Sequence, residues 1–268
     1  MRHEPSVTVL VVFVAVLLAP SGCKDKETAQ QERIDALIEE LEDSDAYVRR
    51  AAAEDLVKIG QSAIPTLIKA FNSKAYYVRF YAARAAGEIG PVAVPHLIEA
   101  LNDNDQEVRY GATGALGRIG PQAKDAVPLL IKALKDEASN VRSGAAWALG
   151  RTGAATEEVA AALVDILSDK QLSPRTRQHA ADALGKIGLA TKAVVLALAK
   201  ALKEEDWNVR HSVVKALGKI GPAAKAVVPA LTEALKDPNR IVRAAATTAL
   251  EKIQQQPSDA ATTGPAEK

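Results

Sequence analysis

The feature that most constrains this chain is a segment that occurs seven times. A Val-Arg pair, Thr-Arg in the fifth copy, opens an alanine-rich run that closes eleven residues after the arginine on glycine, or on Gln254 in the last copy. The copies are VRRAAAEDLVKIG from Val48, VRFYAARAAGEIG from Val78, VRYGATGALGRIG from Val108 and VRSGAAWALGRTG from Val141, then TRQHAADALGKIG from Thr176, VRHSVVKALGKIG from Val209 and VRAAATTALEKIQ from Val242. The recurring arginines, Arg49, Arg79, Arg109, Arg142, Arg177, Arg210 and Arg243, are spaced by 30, 30, 33, 35, 33 and 33 residues. Self-similarity at such a period signals stacked supersecondary units whose core grows along an axis. The 268 residues therefore read as one continuous array with appendages at its ends rather than as two globular domains.

Comparison of the copies separates the glycines by cause. Gly111, Gly114, Gly117 and Gly120 together suggest a phosphate cradle, but such a loop is a single turn between a strand and a helix. This segment recurs, and no strand pattern precedes it, so the phosphate reading falls. Gly60, Gly90, Gly120, Gly153, Gly188 and Gly221 follow the last apolar residue of each run, where a helix ends in a left-handed conformation that glycine adopts cheaply. Gly87, Gly117, Gly150, Gly185 and Gly218 lie inside the run. Glycine there costs about 1 kcal/mol against alanine, which implies close approach of a neighbouring helix. Gly111 and Gly114 match no glycine in most copies.

Each unit contains two helical patterns. The first is seen in VPHLIEAL, with Leu97, Ile98 and Leu101 at helical spacing, and Pro65, Pro95, Pro128 and Pro229 fall near its start, where a missing N–H matters least. In the second, Val108, Ala112, Ala115, Leu116 and Ile119 form one buried face. An acidic turn joins them: Asp43, Asp45, Asp103, Asp105, Asp136, Asp206 and Asp237 stand four or six residues before the arginine, placed to cap the second helix or to pair with an arginine. This constellation resembles the HEAT-like repeats of the phycobilisome-lyase type. The resemblance implies an all-α, right-handed α-solenoid of about seven two-helix repeats over residues 32–255, second helices lining the concave side. It also implies that the loop aspartates form a ladder with the seven arginines, which makes those arginines structural.

The N-terminus is a separate object. Residues 7–19, VTVLVVFVAVLLA, are apolar and uncharged, too few for the roughly 20 that span a bilayer and suited to a signal-peptide core. Cys23 is the only cysteine, so no intramolecular disulfide explains it, and Ser21 and Gly22 supply the small residues before it. The stretch resembles the bacterial lipoprotein box, which implies removal of residues 1–22, lipidation of Cys23 and an exported, membrane-tethered protein in the periplasm or on the cell surface. Pro20 stands where that box carries an aliphatic residue, which leaves ordinary cleaved secretion and an uncleaved anchor open; all three routes export the body. Residues 23–31 then read as the anchor cysteine with a polar tether, and residues 256–268 as a disordered tail.

Function must lie in the columns that vary. On a helical wheel, positions one, two, five and nine after the arginine, and the two residues before the valine, point away from the core. Aromatics are only 4% of the chain, yet Tyr47, Tyr76, Tyr77, Phe80, Tyr81, Tyr110, Trp147 and Trp207 all occupy these columns, with Phe71 in a core column. Binding surfaces favour such side chains; the alternative is sideways packing on neighbouring helices. Column nine reads Lys58, Glu88, Arg118, Arg151, Lys186, Lys219 and Lys252, a basic stripe on a chain of net charge only +1. Either the helix macrodipole or an anionic partner accounts for it.

The expected partner-binding residues are accordingly Tyr77, Tyr81, Arg84, Tyr110, Trp147, Arg118 and Arg151, and the expected function is a non-enzymatic scaffold for another protein or peptide of anionic character. Contact with the membrane is expected through the lipid anchor alone. The enzyme alternatives within the resemblance are a deoxyhypusine hydroxylase-like or bilin lyase/isomerase activity. The first needs His-Glu pairs for iron, but His96, His179 and His211 are followed by leucine, alanine and serine. The second acts in the cytoplasm, which an exported chain leaves. No catalytic residue, metal or cofactor is expected, and export argues against nucleic acid despite the basic stripe.

Overall fold

The computed structural model describes residues 26–255. Cys23, the signal-peptide stretch and the C-terminal tail lie outside the described residues. Fourteen α-helices fall into seven pairs among the described residues. The first helices of the pairs are α1 (Lys26–Glu40), α3 (Ile64–Ala70), α5 (Val94–Ala100), α7 (Val127–Ala133), α9 (Glu157–Ser168), α11 (Lys192–Ala201) and α13 (Val228–Ala234). The second helices, which carry the recurring segment, are α2 (Ala46–Ile59), α4 (Tyr76–Ile89), α6 (Gln106–Ile119), α8 (Ser139–Thr152), α10 (Pro174–Ile187), α12 (Trp207–Ile220) and α14 (Arg240–Gln254). The all-α solenoid follows as the repeats imply.

One boundary moves. Residues 26–31, expected to be tether, are already helical in α1. Lys, Glu, Ala and Gln are good helix formers, and Gln31 Nε2 donates to Asp35 Oδ1 at 2.8 Å and to Thr66 Oγ1 of the next unit at 3.1 Å. A lack of apolar periodicity meant only that this turn buries nothing. No helix among the described residues is long and apolar enough to cross a membrane.

The spacing of the copies has a structural cause. Every stop glycine has positive φ, but the conformations differ from a uniform left-handed cap. Gly120 (φ 70°, ψ −128°) leads straight into a 3₁₀ segment, whereas Gly153 (φ 66°, ψ 18°) is left-handed and ends the helix outright. The 30-residue units connect through 3₁₀ segments of four and three residues, Gly60–Ala63 and Pro91–Ala93. Units at 33 take up the extra residues in seven-residue segments, Gly120–Ala126 and Gly221–Val227. After Gly153 and Gly188 there is no 3₁₀ segment; Thr156 and Thr191 cap α9 and α11 by accepting from the backbone N–H of Val159 and Val194. Those first helices run to 12 and 10 residues instead of seven. Prolines lie in the first turn of the short first helices, as expected.

The core is a continuous leucine and alanine seam. Leu67, Leu97, Leu130, Leu163, Leu198 and Leu231 of the first helices face Leu56, Leu116, Leu149, Leu184 and Leu217 of the second, all buried. Consecutive second helices pack on one another far more extensively than consecutive first helices. The internal glycines are the reason. A Cβ added at Gly150 would lie 2.7 Å from Ala183 Cα, and one at Gly185 2.6 Å from Ala216 Cα. Because the second helices approach more closely than the first, they form the inner, concave side of the stack.

The arginine column forms the ladder, five of its seven rungs reaching forward one unit. Except in Arg177, an arginine Nη1 donates to two backbone carbonyls of its own turn, as Arg109 does to Asp103 and Asn104. In all but Arg142 and Arg243 the rest of the guanidinium meets the following unit. Arg109 grips Asp136 with Nε and Nη2 at 2.7 and 2.9 Å, and Arg210 grips Asp237 at the same two distances. Arg79 pairs with Glu107 at 3.0 Å, and Arg177 with Glu204. Arg49 has no ion-pair carboxylate among the described residues; its guanidinium lies 4.0 Å from the centroid of the Tyr77 ring. Arg142 Nε is buried without a partner. The remaining aspartates do the other expected work: Asp45, Asp105 and Asp206 are N-caps of α2, α6 and α12.

Candidate functional site

On the concave face, four consecutive second helices, α4, α6, α8 and α10, enclose a groove of about 650 Å3. It exists because side chains are missing. The columns two and five after the arginine hold Gly111, Gly114 and Gly144 here, where other copies carry Tyr81, His179, Glu54 or Lys215. Two of these glycines are forced by packing: a Cβ at Gly111 would strike the buried Phe71 ring, and one at Gly144 would strike Thr113 Oγ1. Gly114 is different. A Cβ there would meet nothing within 4 Å, so its absence leaves open space.

Aromatic side chains wall the groove. Tyr76 and Phe80 stack at 6.2 Å, Tyr110 stands 38% exposed, and Trp147 closes the far side. Trp147 is half-buried rather than free, since its six-membered ring fills the space above Gly117. The wheel put it on the open face; sideways packing across the Gly117 gap is what the fold selects. Tyr81 is likewise half-buried and packed on the core. From the second unit on, the column two after the arginine behaves this way, with Gly111, Gly144 and Ser212 buried while Ala51 of the first unit stays exposed, because close approach of the second helices encloses a position that a single isolated helix would expose.

The charged lining is mostly cationic, Arg79, Arg118 and Arg175 against Glu107. Arg79 is matched by Glu107, whose other oxygen accepts from Asn140 Nδ2 at 3.3 Å. Arg118 and Arg175 line the groove without a described acid in ion-pair reach. His179 Nδ1 lies 3.0 Å from the Ser143 carbonyl and 2.9 Å from Ser143 Oγ. Since a carbonyl only accepts, Nδ1 carries the proton. Burial pushes the His179 pKa down, against the Ser143 carbonyl, so the ring is neutral near pH 7.

Beyond the groove runs the basic row. Burial lowers the Arg118 pKa, and Arg84 and Arg151 push the same way against Glu88. Burial also lowers Lys186, with Arg151, Lys219 and Lys215 adding to it and Asp182 opposing. These cations therefore run as neighbours along units two to six. Arg84 is the neutralised member, bound to Glu88 at 2.7 Å. Arg151 Nε donates to the Gly117 carbonyl at 3.2 Å and its Cζ stands 6.0 Å from the Trp147 ring.

Of the seven residues expected to bind a partner, Tyr110, Trp147 and Arg118 meet in the groove, and Arg151 stands beside it. Tyr77, 49% exposed, is the ladder rung over Arg49, and Tyr81 lies 6.0 Å from the same guanidinium. Tyr76, Phe80, Arg175 and His179 were not singled out as binders. The signal that could have found them was the run of glycines in columns two and five. Among the described residues no cluster of three His, Cys, Asp or Glu side chains is placed to hold a metal.

Residues 34–103, 94–175 and 170–251 match the family model of HEAT repeats. The chain belongs to the HEAT-repeat family. Its solenoid is similar to that of an engineered protein solved by a structural genomics consortium, at 25% identity and TM-score 0.54 over 82% of this chain and 96% of that one. It is also similar to the karyopherin Kap121p in its crystals with Nup53p and with the C-terminus of Cdc14p, at 14% and 15% identity and TM-score 0.68 over 85% of this chain. The HEAT-repeat array spans 30% of the karyopherin's length, and that likeness concerns the fold. No curated protein matches the chain. A HEAT-repeat scaffold of this form is compatible with protein binding.

Proposed function

We propose that this HEAT-repeat protein is a non-catalytic scaffold that binds an acidic protein or peptide along its concave face, outside the cytoplasm, held to a membrane by lipid on Cys23. The observation that carries the binding reading is the row Arg118, Arg151, Lys186, Lys215 and Lys219, none of which has an ion-pair partner among the described acids; at Arg118 and Lys186 burial, and after it the neighbouring cations, lower the pKa. The macrodipole favours a cation in a last turn by about 0.3–1 kcal/mol, but Lys215 lies mid-helix in α12 and gains nothing from it. A bound anion would relieve the repulsion. The stiff stack presents these groups at fixed spacing, so association orders little further. Kap121p, similar in fold, is bound in its crystals to Nup53p, to Ulp1p and to the extreme C-terminus of Cdc14p; by analogy a polypeptide suits this face.

Photo-crosslinkers placed at Lys215, on the concave face, and at Lys69, on a first helix, test the surface in native membranes. Several-fold more partner crosslinked from Lys215, reduced by Arg118→Glu with Arg151→Glu, is the expected result; equal yields from both faces would remove the concave-face reading. The anchor is tested separately. Mass spectrometry should show a chain beginning at a lipidated Cys23, and Cys23→Ser should release the protein from membranes; an intact Met1 would overturn the tether.

A further inference from the structure

The groove and the cation row are continuous, and together they specify more than negative charge. A uniform polyanion would engage the row and leave the aromatic groove empty. The groove asks for one bulky apolar side chain: it has Tyr76, Phe80, Tyr110 and Trp147 as walls and open space at Gly114. The row supplies one cation per unit at the same position of each second helix, Arg118, Arg151, Lys186 and Lys219. Gly150 and Gly185, each against the backbone of an alanine on the next second helix, bring α8, α10 and α12 together, with axes at roughly the ordinary 8–10 Å. An extended polypeptide in the polyproline II conformation rises about 3.1 Å per residue with about three residues per turn. Three residues of such a chain, about 9 Å, therefore span one repeat and bring the side chain back to the same face.

Resting on the concave-face reading above, we infer that the occupant is an extended acidic polypeptide segment with one bulky apolar side chain in the glycine-floored groove and carboxylates at every third residue beyond it, one for each of Arg151, Lys186 and Lys219. The apolar residue fixes the register and the carboxylates read the repeat spacing. His179, neutral at the groove wall, adds no competing charge near pH 7.

Three fluorescein-labelled decapeptides in a Ser/Gln background test this by anisotropy: one with Phe and then Glu at every third position, one with Phe and the same three Glu contiguous, and one with the spaced Glu but Ser for Phe. The spaced Phe peptide should bind about tenfold more tightly than either of the others, the scale of a single anchor or of a matched charge pair. Gly114→Leu, whose side chain enters open space and should preserve the fold, should abolish the Phe advantage and keep the spacing advantage. Lys186→Glu with Lys219→Glu should do the reverse. If the three peptides bind wild type alike, or inorganic polyphosphate binds as tightly as the spaced Phe peptide, the register is wrong. If no peptide binds but Lys215 crosslinks persist, the register fails while the scaffold stands. If those crosslinks are absent too, both readings fail.

Discussion

Two glycines one turn apart on α6 illustrate how little the residue type says without its surroundings. A Cβ at Gly114 would meet nothing, whereas one at Gly117 would enter the Trp147 ring. Gly114→Ala is therefore expected to raise stability by about 0.5–1 kcal/mol, the ordinary helical penalty of glycine. Gly117→Ala is expected to lower it by about 1–3 kcal/mol through overpacking. Urea unfolding of the two variants checks the pair, and a shift of the same sign in both would show that Trp147 is not held against Gly117. Tyr77 makes the same point about aromatics. It looks like a surface anchor in sequence, but its ring face substitutes for the carboxylate that Arg79, Arg109, Arg177 and Arg210 find in the next unit.

At the scale of elements, stability is carried from pair to pair by the arginine column and by the close second helices. The Arg109 and Asp136 side chains are about nine-tenths buried and doubly hydrogen-bonded, so removing the arginine strands a carboxylate. Arg109→Ala should cost about 3 kcal/mol or more. Arg243, in the last pair, is exposed and meets only the carbonyls of Asp237 and Pro238, so Arg243→Ala should cost about 0.5 kcal/mol or less. Denaturant midpoints of the two variants distinguish this ladder from solvated arginines, which would give small and equal shifts.

Across the whole array the ladder makes stability depend on acid. At Asp237 the Arg210 hydrogen bonds lower the carboxyl pKa, helped by the Asn239 N–H, against burial. At Asp136 burial alone would raise it, but Arg109, the Ala138 N–H and the charge of Arg142 outweigh burial and hold it low. A depressed folded-state pKa means the unfolded chain takes up protons first as pH falls. The contribution is thus complete above the ordinary aspartate value of about 3.9 and is lost as pH drops through the lower folded values. Unfolding free energies measured from pH 7 down should decline most steeply in that acid window, and Asp136→Asn with Asp237→Asn should flatten the decline. In an array stabilised by nearest-neighbour interfaces, these two junctions, between units three and four and between six and seven, should be where acid uncouples the stack.

The repeat count, most helix ends, the cap aspartates and the arginine column were readable from sequence, because each rests on a local rule that recurs along the chain and so checks itself. The likeness to HEAT repeats rested on the same residues and matches the family found. Neighbouring helices decided the rest. A helical wheel describes one helix in isolation, but whether position two or five after the arginine is open depends on how near the adjacent helix stands and what it offers there. Gly111 faces Phe71 of another helix pair, Gly144 faces Thr113, and Gly114 faces no side chain. The groove is the sum of those three relationships across units, and no single copy of the repeat contains it.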